Sequence, residues 1–298
     1  MSALSQNGET ISDLVKGKRG LVMGVANDHS IAWGIARTLK AHGAELAFTY
    51  QGEAQAKRLR RLIPSGNSTL IMPGDVEKDD ELDKAFDTLK KEWGSLDFLV
   101  HAIAFSDKNE LTGRYVDTTR ANFARSMDIS CYSFTAVANR ASHLMTAPSA
   151  GGTGGAMVTL TYLGASRVMP NYNVMGVAKA ALEASVRYLA ADLGRDGIRV
   201  NAISAGPMRT LAGAVIGDAR TVFKWNRTQA PLKKTVELDH VGGAALYLLS
   251  DLSGGVTGEV HFVDAGFNVV GMPTSTELRA WVASESGAEG ASADEADA

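Results

Sequence analysis

The sequence predicts an α/β fold on a single parallel sheet, and three observations carry that reading. Short apolar runs alternate with stretches of helical spacing from about Arg19 to Phe267. The runs are continuously apolar, as strands are when helices cover both faces of a parallel sheet. No linker-like segment interrupts the series, so one domain is predicted. GKRGLVMGVA (17–26) runs into glycine as the first strand, and SIAWGIARTLKAHG (30–43) follows as a helix ending at a glycine. AELAFTYQ (44–51) is the second strand and GEAQAKRLRRLI (52–63) its helix. NSTLIMPGDV (67–76) gives the third strand, before an amphipathic helix at 78–94. SLDFLVHAIAF (95–105) is the fourth strand, and a long helical region covers 119–145. GAMVTLTY (155–162) is the fifth strand, followed by a long helix at 171–194. GIRVNAISAG (197–206) is the sixth; residues 208–227 read as a helical insertion, 239–249 as a further helix and EVHFVDAG (259–266) as the last strand. The pattern is that of a doubly wound, seven-stranded, Rossmann-type sheet.

Composition narrows the function classes. The chain has 298 residues, 45% hydrophobic and 21% charged, as in soluble globular proteins. A net charge of -3 gives no reason to expect nucleic acid or an anionic membrane as partner. The lone cysteine, Cys131, excludes an intramolecular disulfide, and its setting, MDISCYSFTAVA, reads as a buried helix. No histidine–carboxylate cluster has metal spacing, so no metal is expected. The N-terminus carries no basic-then-apolar signal, and no run of 18 apolar residues exists, so a cytoplasmic protein without a membrane span is expected. Residues 1–14 read as an extension and 15–273 as the domain. The small, acidic segment 274–298 is expected to be disordered, for want of apolar surface to offset the entropy of ordering.

The chemistry concentrates in LTYLGASRVMPNYNVMGVAKAALEA. Lys179 follows Tyr172 by seven residues, two helical turns, and Tyr162 stands where the fifth strand ends. An ammonium beside a phenol favours the phenolate and helps the phenol hydrogen-bond to, or protonate, a developing oxyanion. Tyrosines and lysines are also common at helix starts, so this segment alone leaves a plain surface reading open.

A nucleotide site is predicted at the first strand's end. Gly24 there, followed by a helix start at Ser30-Ile31, aims backbone N–H groups and a positive helix end at a pyrophosphate. Ser30 is a candidate N-cap, and Gly34 a place for close helix–strand approach. The loop is longer and poorer in glycine than G-x-G-x-x-G, so a plain strand–loop–helix connection stays open. The second strand ends in Tyr50-Gln51-Gly52, with neither an acid for two ribose hydroxyls nor a cation for a 2′-phosphate, which leans to NADH. Asp75, beside Val76, suits an adenine amino group or a simple turn. His101 reads as a packed, hydrogen-bonded histidine rather than a catalyst.

SIAWGIA, AELAFTYQ, HAIAF, TYLGASRVMPNYNVMGVAKAALEA, NAISAGPMRT and VDAGFN together resemble the bacterial enoyl-[acyl-carrier-protein] reductases of the short-chain dehydrogenase superfamily, over about Val15 to Pro273. Ordinary superfamily members carry Tyr-x-x-x-Lys with a serine thirteen residues before the tyrosine. Here Met175 stands four before Lys179, Tyr162 holds the serine position, and the tyrosine has moved to Tyr172. The resemblance implies reduction of a trans-2-enoyl thioester by NADH through an enolate. Tyr172 would stabilise the enolate oxygen, Lys179 would hold the nicotinamide ribose, and Tyr162 would line the acyl pocket. It further implies dinucleotide contacts at Gly24, Ser30, Ile31, Gln51, Asp75, Val76, Ile103, Lys179, Met208 and Thr210. Substrate contacts would fall at Ala104, Tyr162, Tyr172, Met175, Ala212 and Ile216, with 208–227 as a lid. Acyl carrier protein would be a partner, with Arg209, Arg220, Lys224 and Arg227 as candidates for a basic rim that also read as plain solvated charges, and the assembly would be a homotetramer. Ala102 and Ala104 depart from the serine and glycine common in relatives and would narrow the space beside the nicotinamide. Two other readings stay open: a related reductase of another enoyl or keto substrate, the keto version disfavoured by the missing Tyr-x-x-x-Lys, and a dinucleotide sensor without turnover.

Overall fold

The computed structural model describes residues 12–63, 69–145, 154–208, 210 and 219–293. Seven strands form one sheet: β1 (Arg19–Met23), β2 (Glu45–Tyr50), β3 (Ile71–Pro73), β4 (Phe98–His101), β5 (Gly155–Thr161), β6 (Ile198–Ala205) and β7 (Val260–Val263). Their order is β3-β2-β1-β4-β5-β6-β7, and every pairing is parallel. The helices are α1 (Ile31–Ala41), α2 (Gly52–Leu62), α3 (Asp79–Trp93), α4 (Arg120–Met127), α5 (Ser133–Ser142), α6 (Asn173–Leu193), α7 (Ala219–Gln229), α8 (Leu238–Leu249) and α9 (Ser275–Ala293). The predicted doubly wound architecture is the observed one.

The absence of alternation in the strands has a direct cause. Along β1, Val22 joins a core with α1 and α8 while Leu21 and Met23 join a second core with α3, α5 and α6. Successive strand side chains face opposite ways, and here both ways are inside. The sheet winds one way through β1, β2 and β3, then returns to place β4 on the other side of β1. Such a reversal opens a crevice outside the carboxyl ends of the two central strands, where nucleotides bind in folds of this kind. Val15, fully buried, ties the chain's entry to the fold by donating its N–H to the His42 carbonyl.

Three expectations change. Strands β3 and β4 are shorter than their apolar runs, because their last residues leave the ladder to line the crevice. Gly34 does not face a strand; a Cβ there would lie 2.7 Å from Leu238 Cβ, so it serves the close crossing of α1 and α8. In the segment from 274, expected to be disordered, Ser275–Ala293 takes the helical form of α9. Its start is capped reciprocally: Thr274 Oγ1 accepts from the Glu277 N–H, and the Glu277 carboxylate accepts from the Thr274 N–H at 2.9 Å.

His101 fills the role expected of it. It is fully buried, with Nδ1 3.0 Å from Thr159 Oγ1 and Nε2 2.9 Å from Ser133 Oγ. Burial, with the Lys179 charge adding to it, pushes its pKa down to about 3. A depressed folded-state value means that the unfolded chain takes up a proton first as pH falls below about 6.5, so stability is present above that value and lost beneath it. Between pH 6.5 and 5 the loss from this group is about 2 kcal/mol. His101→Gln is expected to flatten that acid slope, read as the urea midpoint against pH.

Candidate active site

The crevice is a cleft of about 820 Å³ lined from the carboxyl ends of six strands. At its centre Met23 of β1 lies opposite His101 of β4, and the Ala102 N–H donates to the Met23 carbonyl at 3.1 Å. The chain then turns at Gly24 with φ +96, and a Cβ there would sit 2.1 Å from the Ala102 carbonyl oxygen. Only glycine leaves this floor intact. Ser30 and Ile31 begin α1 on one wall. Ser30 is the N-cap by position, but its hydroxyl donates back to the Asn27 carbonyl at 2.6 Å instead of capping the helix.

Gln51 lies beyond β2, where its N–H donates to Gln55 Oε1 and Gln55 Nε2 donates to the Val25 carbonyl at 3.0 Å. Tyr50, Gln51 and Gln55 line the cleft here without a cation; Arg60, a little further along α2, lies over the Tyr50 ring at 5.8 Å. Asp75 is buried and performs the turn role: Oδ1 accepts from the Glu77 N–H at 3.2 Å. Val76, Ile103 and Ala104 line the middle of the cleft, and Met208 and Thr210 line it beyond β6. All ten residues predicted to meet a dinucleotide therefore lie on one cleft. Ala212, Ile216 and Arg209 lie outside the described residues, as does most of the first half of the expected lid. Its second half is α7, whose Val222 and Phe223 line the cleft while Arg220, Lys224 and Arg227 are exposed.

The two tyrosines meet at the inner end. Tyr162 follows β5, and Tyr172 is the N-cap residue of α6. Their rings cross edge to face with centroids 5.1 Å apart and an interplanar angle of 75°. Leu111, Tyr172 and Met175 form a small apolar cluster against Tyr162 and Met169. Asn171 and Asn173 flank Tyr172 with φ of 57° and 28°. The Asn173 side chain spans to the loop opposite, donating to the Glu110 carbonyl at 3.0 Å, which anchors the helix start beside the tyrosine. Lys179 is buried one helix segment further on, its Nζ donating to the Leu160 carbonyl at 2.8 Å.

Electrostatics overturn the expectation that Lys179 makes Tyr172 more acidic. Burial, with Tyr162 and Glu183 adding to it, pushes the Tyr172 phenol up, and burial likewise pushes Tyr162 up to about 12. Lys179 is itself pushed down to about 8 by burial, against the opposing influence of Cys131 and Glu183. Tyr172 is therefore a neutral phenol at any ordinary pH, able to donate one short hydrogen bond to an oxygen that becomes negative. Cys131 is buried beside Ser185, as a small hydrophobe would be.

Sequence reasoning missed Leu111 and Met169, which line the cleft from irregular loops that carry no periodic signal. It also missed Glu183, although its place four residues after Lys179 puts it on the same helix face. Among the described residues, no group of three or more His, Cys, Asp or Glu converges as a metal would require, and no helix is long and apolar enough to cross a membrane.

Comparison with known proteins agrees with this geometry. A family model described as enoyl-(acyl carrier protein) reductase matches residues 24–268. An enoyl-[acyl-carrier-protein] reductase [NADH] 2 of Rhizobium meliloti strain 1021 is 63% identical over 90% of this chain and 98% of its own length. A crystal structure of the enoyl-(acyl-carrier-protein) reductase of Anaplasma phagocytophilum with NAD superposes with a TM-score of 0.84 at 56% identity, covering 89% of this chain and 99% of that one. The Bacillus cereus enoyl-acyl carrier protein reductase, with NADP+ and an indole naphthyridinone, gives a TM-score of 0.84 at 49% identity over 87% of this chain and all of its own.

Proposed function

The chain belongs to the enoyl-(acyl carrier protein) reductase family, and from that premise we propose how its own residues divide the reduction of a trans-2-enoyl thioester. The observation that carries the proposal is the buried, neutral Tyr172 phenol held against Tyr162 at the inner end of a cleft whose floor only glycine permits. That floor and the Lys179 ammonium fit a dinucleotide: backbone groups near Gly24 and the start of α1 would face the pyrophosphate, and Lys179 would hold the nicotinamide ribose. An ammonium has three donors and Leu160 takes one, which leaves donors for ribose hydroxyls.

NADH, when bound, supplies the hydride that adds to the β-carbon of the enoyl thioester. Negative charge then gathers on the thioester oxygen. Tyr172 donates its phenolic hydrogen bond to that oxygen, stabilising the enolate without having to ionise. Tyr162, Met175 and Ala104 line the acyl site, and Val222 and Phe223 of α7 close over it. One proton drawn from solvent and added at the α-carbon completes the saturated thioester. Exclusion of water by Leu111, Met169 and Phe223 strengthens each electrostatic contact inside.

Acyl carrier protein is the proposed carrier of the substrate, its acidic surface meeting the exposed Arg220, Lys224 and Arg227 on the solvent side of α7. A homotetramer is proposed on the exposed apolar side chains of Phe123, Tyr132, Val177 and Tyr188, along the α4–α5 stretch and α6. A cytoplasmic setting follows from the same reading.

The test is NADH oxidation with crotonyl and longer 2-enoyl thioesters. Turnover is expected with NADH and weaker turnover with NADPH, because no cation lines the cleft beside Gln51 to meet a 2′-phosphate. Tight NADH binding with no turnover on any enoyl thioester would overturn the proposal in favour of a sensor.

A further inference from the structure

Consecutive residues at the end of β5 are gripped by two side chains one helical turn apart on α6. Lys179 Nζ donates to the Leu160 carbonyl at 2.8 Å, and Thr161 Oγ1 donates to Glu183 Oε1 at 2.7 Å. The next residue is Tyr162. A residue four places after Lys179 shares its helix face, so Glu183 is the carboxylate that the buried ammonium sees along its own helix. We propose that Glu183 is a positioning residue for the reduction: through Thr161 it fixes the strand end that carries Tyr162, and through its charge it keeps Lys179 an ammonium. This rests on the role given above to Lys179.

Among the groups acting on Lys179, Glu183 is the carboxylate. From the neighbouring elements, His101 at the end of β4 is neutral, and Tyr162 and Tyr172 are neutral phenols. Burial raises the Glu183 pKa, while the Thr161 hydrogen bond, Arg187 one turn further along α6, and Lys179 favour its charged form. Burial draws the lysine down to about 8, and Cys131 and Glu183 work against that fall. With its value below that of the unfolded chain, Lys179 is charged beneath pH 8 and loses its proton as pH rises past it. Removing the Glu183 charge moves that loss toward neutrality.

Two variants separate the functions of the latch. Glu183→Gln keeps an acceptor for Thr161 but removes the charge, and Thr161→Val keeps the charge but removes the hydrogen bond. The alkaline limb of kcat/KM against pH is expected to move down by about one unit in Glu183→Gln, as removal of one near opposite charge implies. In Thr161→Val the limb is expected to stay in place while kcat falls several-fold, on the order of an imperfectly aimed tyrosine. NADH binding, followed by fluorescence across the same pH range, gives a second readout that needs no turnover. There the pH at which affinity is lost is expected to fall by the same unit in Glu183→Gln only. If wild type turns over and the limb of Glu183→Gln coincides with it, or if both variants shift alike, the inference is overturned. If wild type does not turn over, the reductase proposal fails, and the binding curves alone decide the inference.

Discussion

Tyr172→Phe is expected to lower kcat by about 10²–10³-fold while leaving KM for the enoyl thioester nearly unchanged, the loss typical of one preorganised oxyanion donor. The ring is packed by Leu111, Met175 and Tyr162, so phenylalanine keeps the cluster and removes only the hydroxyl. Burial raises the phenol's pKa, so the wild-type group works as a neutral donor and its contribution should not vary between pH 6 and 8. A donor to an oxygen that becomes negative only during reaction acts on the transition state more than on the bound substrate, which is why the effect falls on kcat. Tyr162→Phe is expected to cost about tenfold or less, since Tyr162 reaches the same centre from a half-buried place at the strand end. Steady-state kinetics of both variants with one enoyl thioester decides the matter. Equal rates for wild type and Tyr172→Phe, or the larger loss at Tyr162, would reassign the oxyanion contact.

The sheet was legible in the sequence because its strands are buried on both faces and its helices are amphipathic. The same physics placed the cleft: Gly24, Gln51, Asp75 and Ile103 each follow a strand, and in a parallel sheet all such ends share one edge. The electrostatics were not legible. Spacing brings Tyr172 and Lys179 onto one segment, but whether a phenol beside an ammonium becomes more or less acidic depends on burial, and here burial wins. The helical reading of residues 275–293 was missed because composition measures the lack of a core and is silent on the Thr274–Glu277 capping box. Leu111 was missed because a loop reaching over the site leaves no mark in periodicity.

Gly24→Ala is expected to destabilise the protein by about 2–6 kcal/mol, from left-handed backbone strain of about 1–3 kcal/mol and a steric clash of similar size. The clash is specific: the new Cβ would sit 2.1 Å from the Ala102 carbonyl oxygen and 2.7 Å from its carbon, both backbone atoms of the neighbouring strand end. Relief requires β1 and β4 to part where the Ala102 N–H meets the Met23 carbonyl, which is the middle of the cleft floor. NADH affinity should therefore fall along with the melting temperature, by a drop on the order of 10 °C. Gly17 supplies the control. Its φ is +73, yet a Cβ there would meet nothing within 4 Å, so Gly17→Ala carries backbone strain alone. Thermal melts of the two variants, with and without NADH, separate strain from clash. If Gly24→Ala melts no lower than Gly17→Ala, or binds NADH as the wild type does, then the close approach of the two central strands does not shape the dinucleotide site.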